Sequence, residues 1–378
     1  NFDIISFSLQ FEEDYFNVLK MIKQSGIPLK RKDRSENDPL IIAGGPCATA
    51  NPMPLSDYID VFVIGEGEVT INKFLDIYLE NKNLDNFLDM DGIYIPKFNN
   101  NAKIALIDDM KNAYHITQPI ITKTDKEDYK TVFSDSIMLN VSRGCTRGCR
   151  FCMSSYLYRP LRETTIKELV NIALKTRENT NLNKITLIGA AVGDYYDLEG
   201  LTKALESEGF QIATPSLRID SLSRETLETL KKSGLKSITI APESISTLRE
   251  RINKSISDEK IFSVIKNAVD LDFNIKLYFL IGIPYESKED IEELANYIEK
   301  IANMHKNRNY IKFSINPVIP KPQTPLQWEV YNFKEIKSKT RYLKKKLRKY
   351  NVKFESPKKG LIQYILSCGN REVGAVIE

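Results

Sequence analysis

Nowhere in the 378 residues do about eighteen apolar residues run together, and the N-terminus lacks the basic-then-apolar order of a secretory leader. Membrane insertion and secretion therefore find no support, and a cytosolic, reducing compartment is the expectation. Histidine occurs twice and tryptophan once. Cysteine is scarce too. There are five, an odd number with three crowded together, which is no disulfide framework and points to metal ligation or redox chemistry. The chain also lacks an initiator methionine and is apolar from its second residue, as a buried strand would be, so a fragment of a longer protein is expected.

What is present suffices for one large core or two modest ones: 42% of the residues are apolar and 28% charged. Over residues 1–80, strand-like runs at 4–9, 40–43 and 61–64 alternate with helix-like runs at 15–24 and 69–79. The loops "GGPCATANPMP" and "GEGE" follow the second and third strands. That order predicts a parallel sheet with helices on its faces, a Rossmann-like half domain. Residues 81–134 are polar and turn-rich and read as a connector. Over 135–330 the alternation resumes, with strand-like runs near 137–141, 185–188, 212–219, 237–241, 275–281 and 311–318. Six such units predict a parallel barrel, complete or partial, rather than a second open sheet. Residues 331–378 read as a basic helical extension, itself truncated. Twelve Lys or Arg face two Glu between 332 and 360, whereas the whole chain is only +4.

The cysteines concentrate in "VSRGCTRGCRFCMSS", residues 141–155, where Cys145, Cys149 and Cys152 have the spacing C-x3-C-x2-C. One loop of that length can wrap three thiolates around a single inorganic cluster. A closed zinc site needs four protein ligands, and the other candidates, Cys47, Cys368, His115 and His305, lie far off in sequence. Three cysteine ligands leave one iron of a [4Fe-4S] cluster open to a small ligand. Cys47 and Cys368, each alone, read as small buried apolar residues.

"CTRGCRFC" resembles the signature of the radical S-adenosylmethionine (radical SAM) superfamily, and the likeness extends over about residues 136–330. It implies an α/β fold, a (β/α)6 partial TIM-type barrel preceded by a truncated Rossmann-like parallel sheet. It implies a [4Fe-4S] cluster on Cys145, Cys149 and Cys152. The open iron would chelate the amino and carboxylate groups of SAM, and reductive cleavage would give a 5′-deoxyadenosyl radical. Phe151 would pack near the adenine. Gly189 and Ala190 of "IGAAVGD" stand where the family has a Gly-Gly-Glu-like turn; the glutamate is missing, and backbone carbonyls would take the SAM ammonium. Ser216 and Arg218 of "TPSLRID" fall at a strand end, with the guanidinium suited to the SAM carboxylate. Glu243 of "TIAPES" would meet the ribose or methionine part, or cap the next helix. Gly282 of "FLIGIP" would let a strand end approach the adenine. An electron donor such as a flavodoxin or ferredoxin is implied as partner. No catalytic residue acting on the substrate is indicated.

"IIAGGPCATANPMP" followed by "VFVIGEGE" resembles the later half of the cobalamin-binding-type domain fused ahead of such barrels. Glycines 44, 45, 65 and 67 would admit a flat cofactor at the sheet edge, although neither histidine fits the Asp-x-His-x-x-Gly pattern of an axial ligand. A purely structural sheet is the alternative. The implied reaction is modification of a macromolecule, by cobalamin-assisted methyl transfer first and by methylthiolation of RNA or protein second. Methylthiolation in related enzymes uses a second cysteine-rich site, and no second triad is present. A cluster- and SAM-binding module without turnover is the alternative of another class. In the basic stretch Tyr342, Leu343, Leu347 and Tyr350 recur at helical spacing, which predicts one packed face and a basic remainder, solvated or facing RNA or a ribonucleoprotein. The prolines of "PKPQTPLQW" set an extended path that puts Trp328 near the barrel mouth.

Overall fold

Side chains that alternate across a strand can feed two cores at once when helices cover both faces of the sheet. In the computed structural model, which describes residues 2–122, 124, 126, 129–130, 133, 135–213, 218–232, 234–307 and 309–378, the N-terminal unit is built this way. Strands β1 (Ile4–Ser8), β2 (Leu40–Gly44) and β3 (Val61–Val63) run parallel in that order. Ile41, Ala43 and Phe62 pack on one face with Tyr15, Val18, Leu19 and Ile22 of helix α1 (Asp14–Gln24). A short helix, α2 (Pro46–Ala50), follows β2. Ile42, Val61 and Val63 pack on the other face with Phe74 and Tyr78 of α3 (Gly67–Glu80).

The stretch read as a connector belongs in part to this sheet. Strand β4 (Ile93–Tyr94) pairs antiparallel with β3, Ala105 bridges Gly65, and Phe87, Met90 and Ile95 complete the second face. Its short β-like runs around Ile93 and Ile104 are too brief to announce a sheet by themselves, and tertiary packing brings them to β3.

The second unit is a set of parallel strands around one core. Strands β5 (Ile137–Asn140), β8 (Lys184–Ile188) and β9 (Gln211–Ala213) form one arc, and β10 (Ser237–Glu243), β11 (Asn274–Ile281), β12 (Ile311–Pro317) and β13 (Val352–Phe354) form another. A separate two-stranded ribbon, β6 (Ser142–Arg143) with β7 (Arg162–Glu163), falls between β5 and β8 in the chain. Leu139, Leu187, Ile212, Ile240, Leu277 and Phe313, each at most 3% exposed, belong to a single core, so the two arcs close on one another. Helices α4 (Ser154–Leu157), α5 (Ile166–Thr180), α6 (Leu198–Ser207), α7 (Arg224–Lys232), α8 (Ser246–Arg251), α9 (Asp258–Asp270), α10 (Lys288–Ala302) and α11 (Phe333–Lys346) separate the strands. Capping boxes at Thr165 and Ser287 start α5 and α10. The parallel α/β organisation is the one that the alternation predicts.

The extension after residue 331 is not only helical. Strand β13 adds a further parallel strand beside β12, and helices α12 (Pro357–Cys368) and α13 (Glu372–Ile377) turn back onto the N-terminal unit. Leu366 enters its core, Asn51 Nδ2 donates to the carbonyls of Ser367 and Gly369, and Tyr58 Oη donates to that of Gly374. Among the described residues no helix is long and apolar enough to cross a membrane.

Candidate functional site

Parallel strands bring their C-terminal ends to one side, and the cysteine loop leaves the first of them. The ribbon β6–β7 ties both ends of this loop, through Ser142 opposite Glu163 and Arg143 opposite Arg162. Gly144 (φ +80°) and Gly148 (φ +65°) adopt left-handed turns; a Cβ there would lie 2.3 Å from Tyr158 O and 2.8 Å from Arg159 Nη2. The loop is pinned from outside. Arg150 N–H donates to Ile252 O (2.9 Å), Asn253 Nδ2 to the carbonyls of Arg147 and Gly148 (3.1 and 2.9 Å), and Tyr156 Oη to Gly148 O (2.8 Å).

Cys145, Cys149 and Cys152 line one cavity of about 210 Å3, and the first two are each 6% exposed. Phe151, Ala190, Arg218 and Glu243 line the same cavity, so the structure brings together four of the residues singled out beside the cysteines. Gly189 stands just behind: a Cβ would lie 2.7 Å from Ser142 Oγ, so this glycine lets the end of β8 pass the ribbon. Gly282 faces elsewhere. It lines the neighbouring cavity, gives its N–H to Glu286 Oε2 (2.8 Å), and has Ile336 against its Cβ position. Ser216 lies outside the described residues.

Charge around the thiols is arranged in pairs. Glu243 ends β10 at a bulge with φ +69°, is 7% exposed, and accepts from Lys254 Nζ at 2.6 Å. Such a backbone conformation is strained for a glutamate and is held by its surroundings. Arg249, fully buried, supplies part of that hold: it donates to Ser244 O and Ile256 O, pairs with Asp258 and lies over the Tyr297 ring. It thereby ties the segment after Glu243 to the segment after Lys254. On the opposite wall Arg147 grips Asp194 through Nε and Nη2 (2.8 and 2.7 Å), and Arg218 Nη2 reaches Asp220 (2.7 Å). Burial pushes the Cys149 thiol pKa up, against the pull of the Lys254 and Arg218 cations. Buried Arg218 Nε has no hydrogen-bond partner among the described residues.

Lys254, Asp194 and Asp220 escape sequence reasoning. Lys254 sits in "RINKS", which has no pattern of its own, and its relation to Glu243 exists only across the fold.

Three thiols, two cations and one carboxylate around one enclosed space suit a cluster with an open iron and a zwitterionic ligand. Among the described residues no three His, Cys, Asp or Glu side chains are arranged for a single metal ion. A lone zinc would draw its sulfurs to within about 4 Å of one another, whereas a cubane of four irons keeps them further apart.

Glycines 45 and 65 serve the chain itself. Their Cβ positions lie 2.9 Å from Leu9 O and 2.1 Å from Ala105 O. The sheet edge of the N-terminal unit meets the barrel through Glu66, which receives Arg162 Nη1 (2.9 Å) and Nη2 (3.2 Å), and through Glu12 with Lys321. Between the two units a cavity of about 490 Å3 is lined by Phe11, Glu13, Asn316, Lys359, Gln363 and, shared with the cysteine cavity, Phe151.

Comparison with known proteins finds relatives of the two units. Residues 139–298 match the family described as Radical SAM superfamily, and residues 1–96 the one described as Radical SAM proteins, N-terminal. The whole chain aligns at 35% identity with 80% of Uncharacterized protein MJ0966 of Methanocaldococcus jannaschii. Uncharacterized methyltransferase PH0819 of Pyrococcus horikoshii is 25% identical over 76% of this chain and 62% of its own length. Among solved structures, the fold is shared with the radical S-adenosylmethionine methyltransferase TsrM from Kitasatospora setae, determined with cobalamin and a [4Fe-4S] cluster bound. The TM-score is 0.62 at 10% identity, covering 87% of this chain and 64% of that one. The chain thus spans less than two thirds of the length of the latter two proteins.

Proposed function

This chain belongs to the radical SAM superfamily, and on that premise we propose that it holds a [4Fe-4S] cluster on Cys145, Cys149 and Cys152 and uses it to cleave SAM reductively, modifying a substrate by methyl transfer. The observation that carries the reading is the convergence of the three buried thiols with Arg218, Lys254 and Glu243 on one cavity. When bound, the cluster would supply an open iron and one electron to SAM. The protein's residues do the rest. Arg218, whose Nε makes no hydrogen bond among the described residues and lies 3.7 Å from Asp194 Oδ2, and Lys254 offer donors to the SAM carboxylate, and Glu243 is the cavity's carboxylate for the ammonium that a Gly-Gly-Glu turn would otherwise receive. Phe151 stands between this cavity and the larger one at the junction of the two units.

Methyl transfer is supported by the methyltransferases among the relatives and neighbours. The junction cavity is where a second reactant would meet SAM across Phe151, be it cobalamin or the substrate itself. Cobalamin would supply a methyl-carrying cobalt; of the sheet-edge glycines, Gly45 and Gly65 face the chain's own backbone. Methylthiolation lacks a second thiol set among the described residues: neither Cys47 nor Cys368 lines the cysteine cavity, Cys47 being in the N-terminal core and Cys368 giving its thiol to Pro320 O. Basic residues of α11 gather in its last turn, from which the chain runs into β13. Lys346 and Lys349 there stand 3.9 and 3.7 Å from Glu292 and Glu299 of α10.

The test is iron, sulfide and cobalamin content after anaerobic reconstitution, for the parent, Cys149→Ala and, as control, Cys47→Ala. Four irons per chain in the parent and the control, with most of the iron lost in Cys149→Ala, is expected. Equal iron in all three proteins, or a single zinc, contradicts the reading. Bound cobalamin assigns the junction cavity to the methyl carrier, and its absence leaves the cavity to the substrate.

A further inference from the structure

The outer side of the cluster loop carries positive charge that the fold leaves unmatched. Arg150, Arg159 and Arg251 are exposed, and each is held by something other than a carboxylate. Arg150 Nη1 donates to Arg251 O (2.7 Å), Arg251 Nη1 donates to Tyr285 O (2.7 Å), and the Arg159 guanidinium lies 4.9 Å from the centre of the Tyr156 ring. Among the described residues none of the three makes an ion pair, whereas Arg147 and Arg218, closer to the cavity, are bound by Asp194 and Asp220.

Beside these arginines lies an apolar surface of unusual exposure. Tyr285, Trp328 and Val330 are 89%, 85% and 79% exposed and line one open cavity of about 690 Å3. Leu326 lines it too and gives its N–H to Arg150 O (3.4 Å), which joins the apolar cavity to the cluster loop. Tyr285 has φ +62°, a left-handed conformation that an aromatic residue rarely takes. Of the charged residues that line it, Glu329 and Lys334 offset one another, and Glu286 and Glu335 are both paired with Lys339. Exposed aromatic residues rimmed by arginine mark a recognition surface more than a solvated one.

Resting on the cluster reading above, we propose that this face, Arg150, Arg159 and Arg251 with Tyr285 and Trp328, is the docking surface of an acidic one-electron carrier protein. Charge complementarity selects the class of partner. Position selects its role. Arg150 lies between Cys149 and Cys152 in the chain, so a carrier seated here is separated from the thiols by the thickness of one loop. The three arginines line neither the cysteine cavity nor the junction cavity. A substrate must enter one of those spaces, whereas a carrier has only to approach from outside. One electron passes from the carrier's reduced centre, which is oxidised by one electron, to the group on the three thiolates, which is reduced by one. No bond is made or broken.

The test pairs binding with reduction, using flavodoxin hydroquinone and a reduced acidic ferredoxin as probes of the reconstituted protein. Variants are Arg150→Gln with Arg251→Gln, Arg150→Lys with Arg251→Lys, and Trp328→Ala. The parent is expected to bind at least one carrier, less tightly as salt rises. The double glutamine variant should bind about tenfold more weakly, and carrier-driven reduction at limiting carrier should slow by a similar factor. The double lysine variant should retain most of the binding, and Trp328→Ala should weaken it. Iron content and reduction by dithionite should match the parent in every variant, which separates docking from folding. Failure of dithionite to reduce the parent would count against the cluster reading instead. Parental affinity and rate in the double glutamine variant overturn the proposal, as does a parent that binds neither carrier, or a loss of short-RNA binding in place of carrier binding.

Discussion

Glu243 is the residue on which ligand recognition turns. Among the described residues that line the cavity it is the one with a carboxylate, and a bulge and a positive φ fix it there against Lys254. Glu243→Gln removes the charge while keeping the shape. A charge-assisted hydrogen bond of about 1.5–3 kcal/mol corresponds to roughly 10- to 150-fold weaker SAM binding. Equilibrium binding of SAM to the iron-loaded variant checks this, with iron content expected to stay at the parental level. If Glu243 only caps the following helix, SAM affinity will not move. At this scale the cysteines, Phe151, Arg218 and Glu243 were legible because each sits in a short local pattern tied to a strand end. Lys254 was not, since what defines it is a contact with Glu243 made in three dimensions. Gly282 stands apart for a related reason: a Gly-x-Pro sequence marks a turn, but which cavity the turn lines depends on how α11 packs.

Helix α12 and the loop after β1 meet at Glu12, and the pH behaviour of the junction follows from that contact. Glu12 is 3% exposed; burial pushes its pKa up, but the Lys321 ammonium and hydrogen bonds from Lys321, Ser367 and Gln363 outweigh this and hold it below the usual glutamate value. A depressed carboxylate pKa contributes stability above the unfolded value, about 4.5, and that contribution is lost as pH falls through the folded value. Denaturant titrations from pH 7 downward should therefore show a stability loss below about 4.5 that Glu12→Gln reduces. At neutral pH Lys321→Ala leaves the buried carboxylate unpaired and should cost about 3 kcal/mol. An unchanged midpoint in Lys321→Ala would show that the contact is incidental. The elements themselves were legible where apolar runs of strand length recur between helices, as in β8, β11 and β12. Strand β13 was hidden because three residues, "VKF", stand inside a lysine-rich stretch whose period reads as helix. Strand β4 is only two residues long and acquires its meaning from β3.

Across the whole molecule, the C-terminal edge of the N-terminal sheet is turned toward the cluster end of the barrel, and the last two helices return to lock that arrangement. Neither relation is written locally. Both depend on pairs hundreds of residues apart, such as Tyr58 with Gly374. The arrangement puts one enclosed cavity with three thiols next to a second that opens at the junction, which is what an enzyme needs if it is to generate a reactive species from SAM away from water and deliver it to another molecule. The central claim is that the three-cysteine cavity cleaves SAM. It is tested most directly by incubating the anaerobically reconstituted, dithionite-reduced protein with SAM and quantifying 5′-deoxyadenosine and methionine. Formation of both in equal amounts, abolished in Cys149→Ala, is the expected result. An iron-loaded, SAM-bound protein that yields no 5′-deoxyadenosine above the Cys149→Ala background would contradict it.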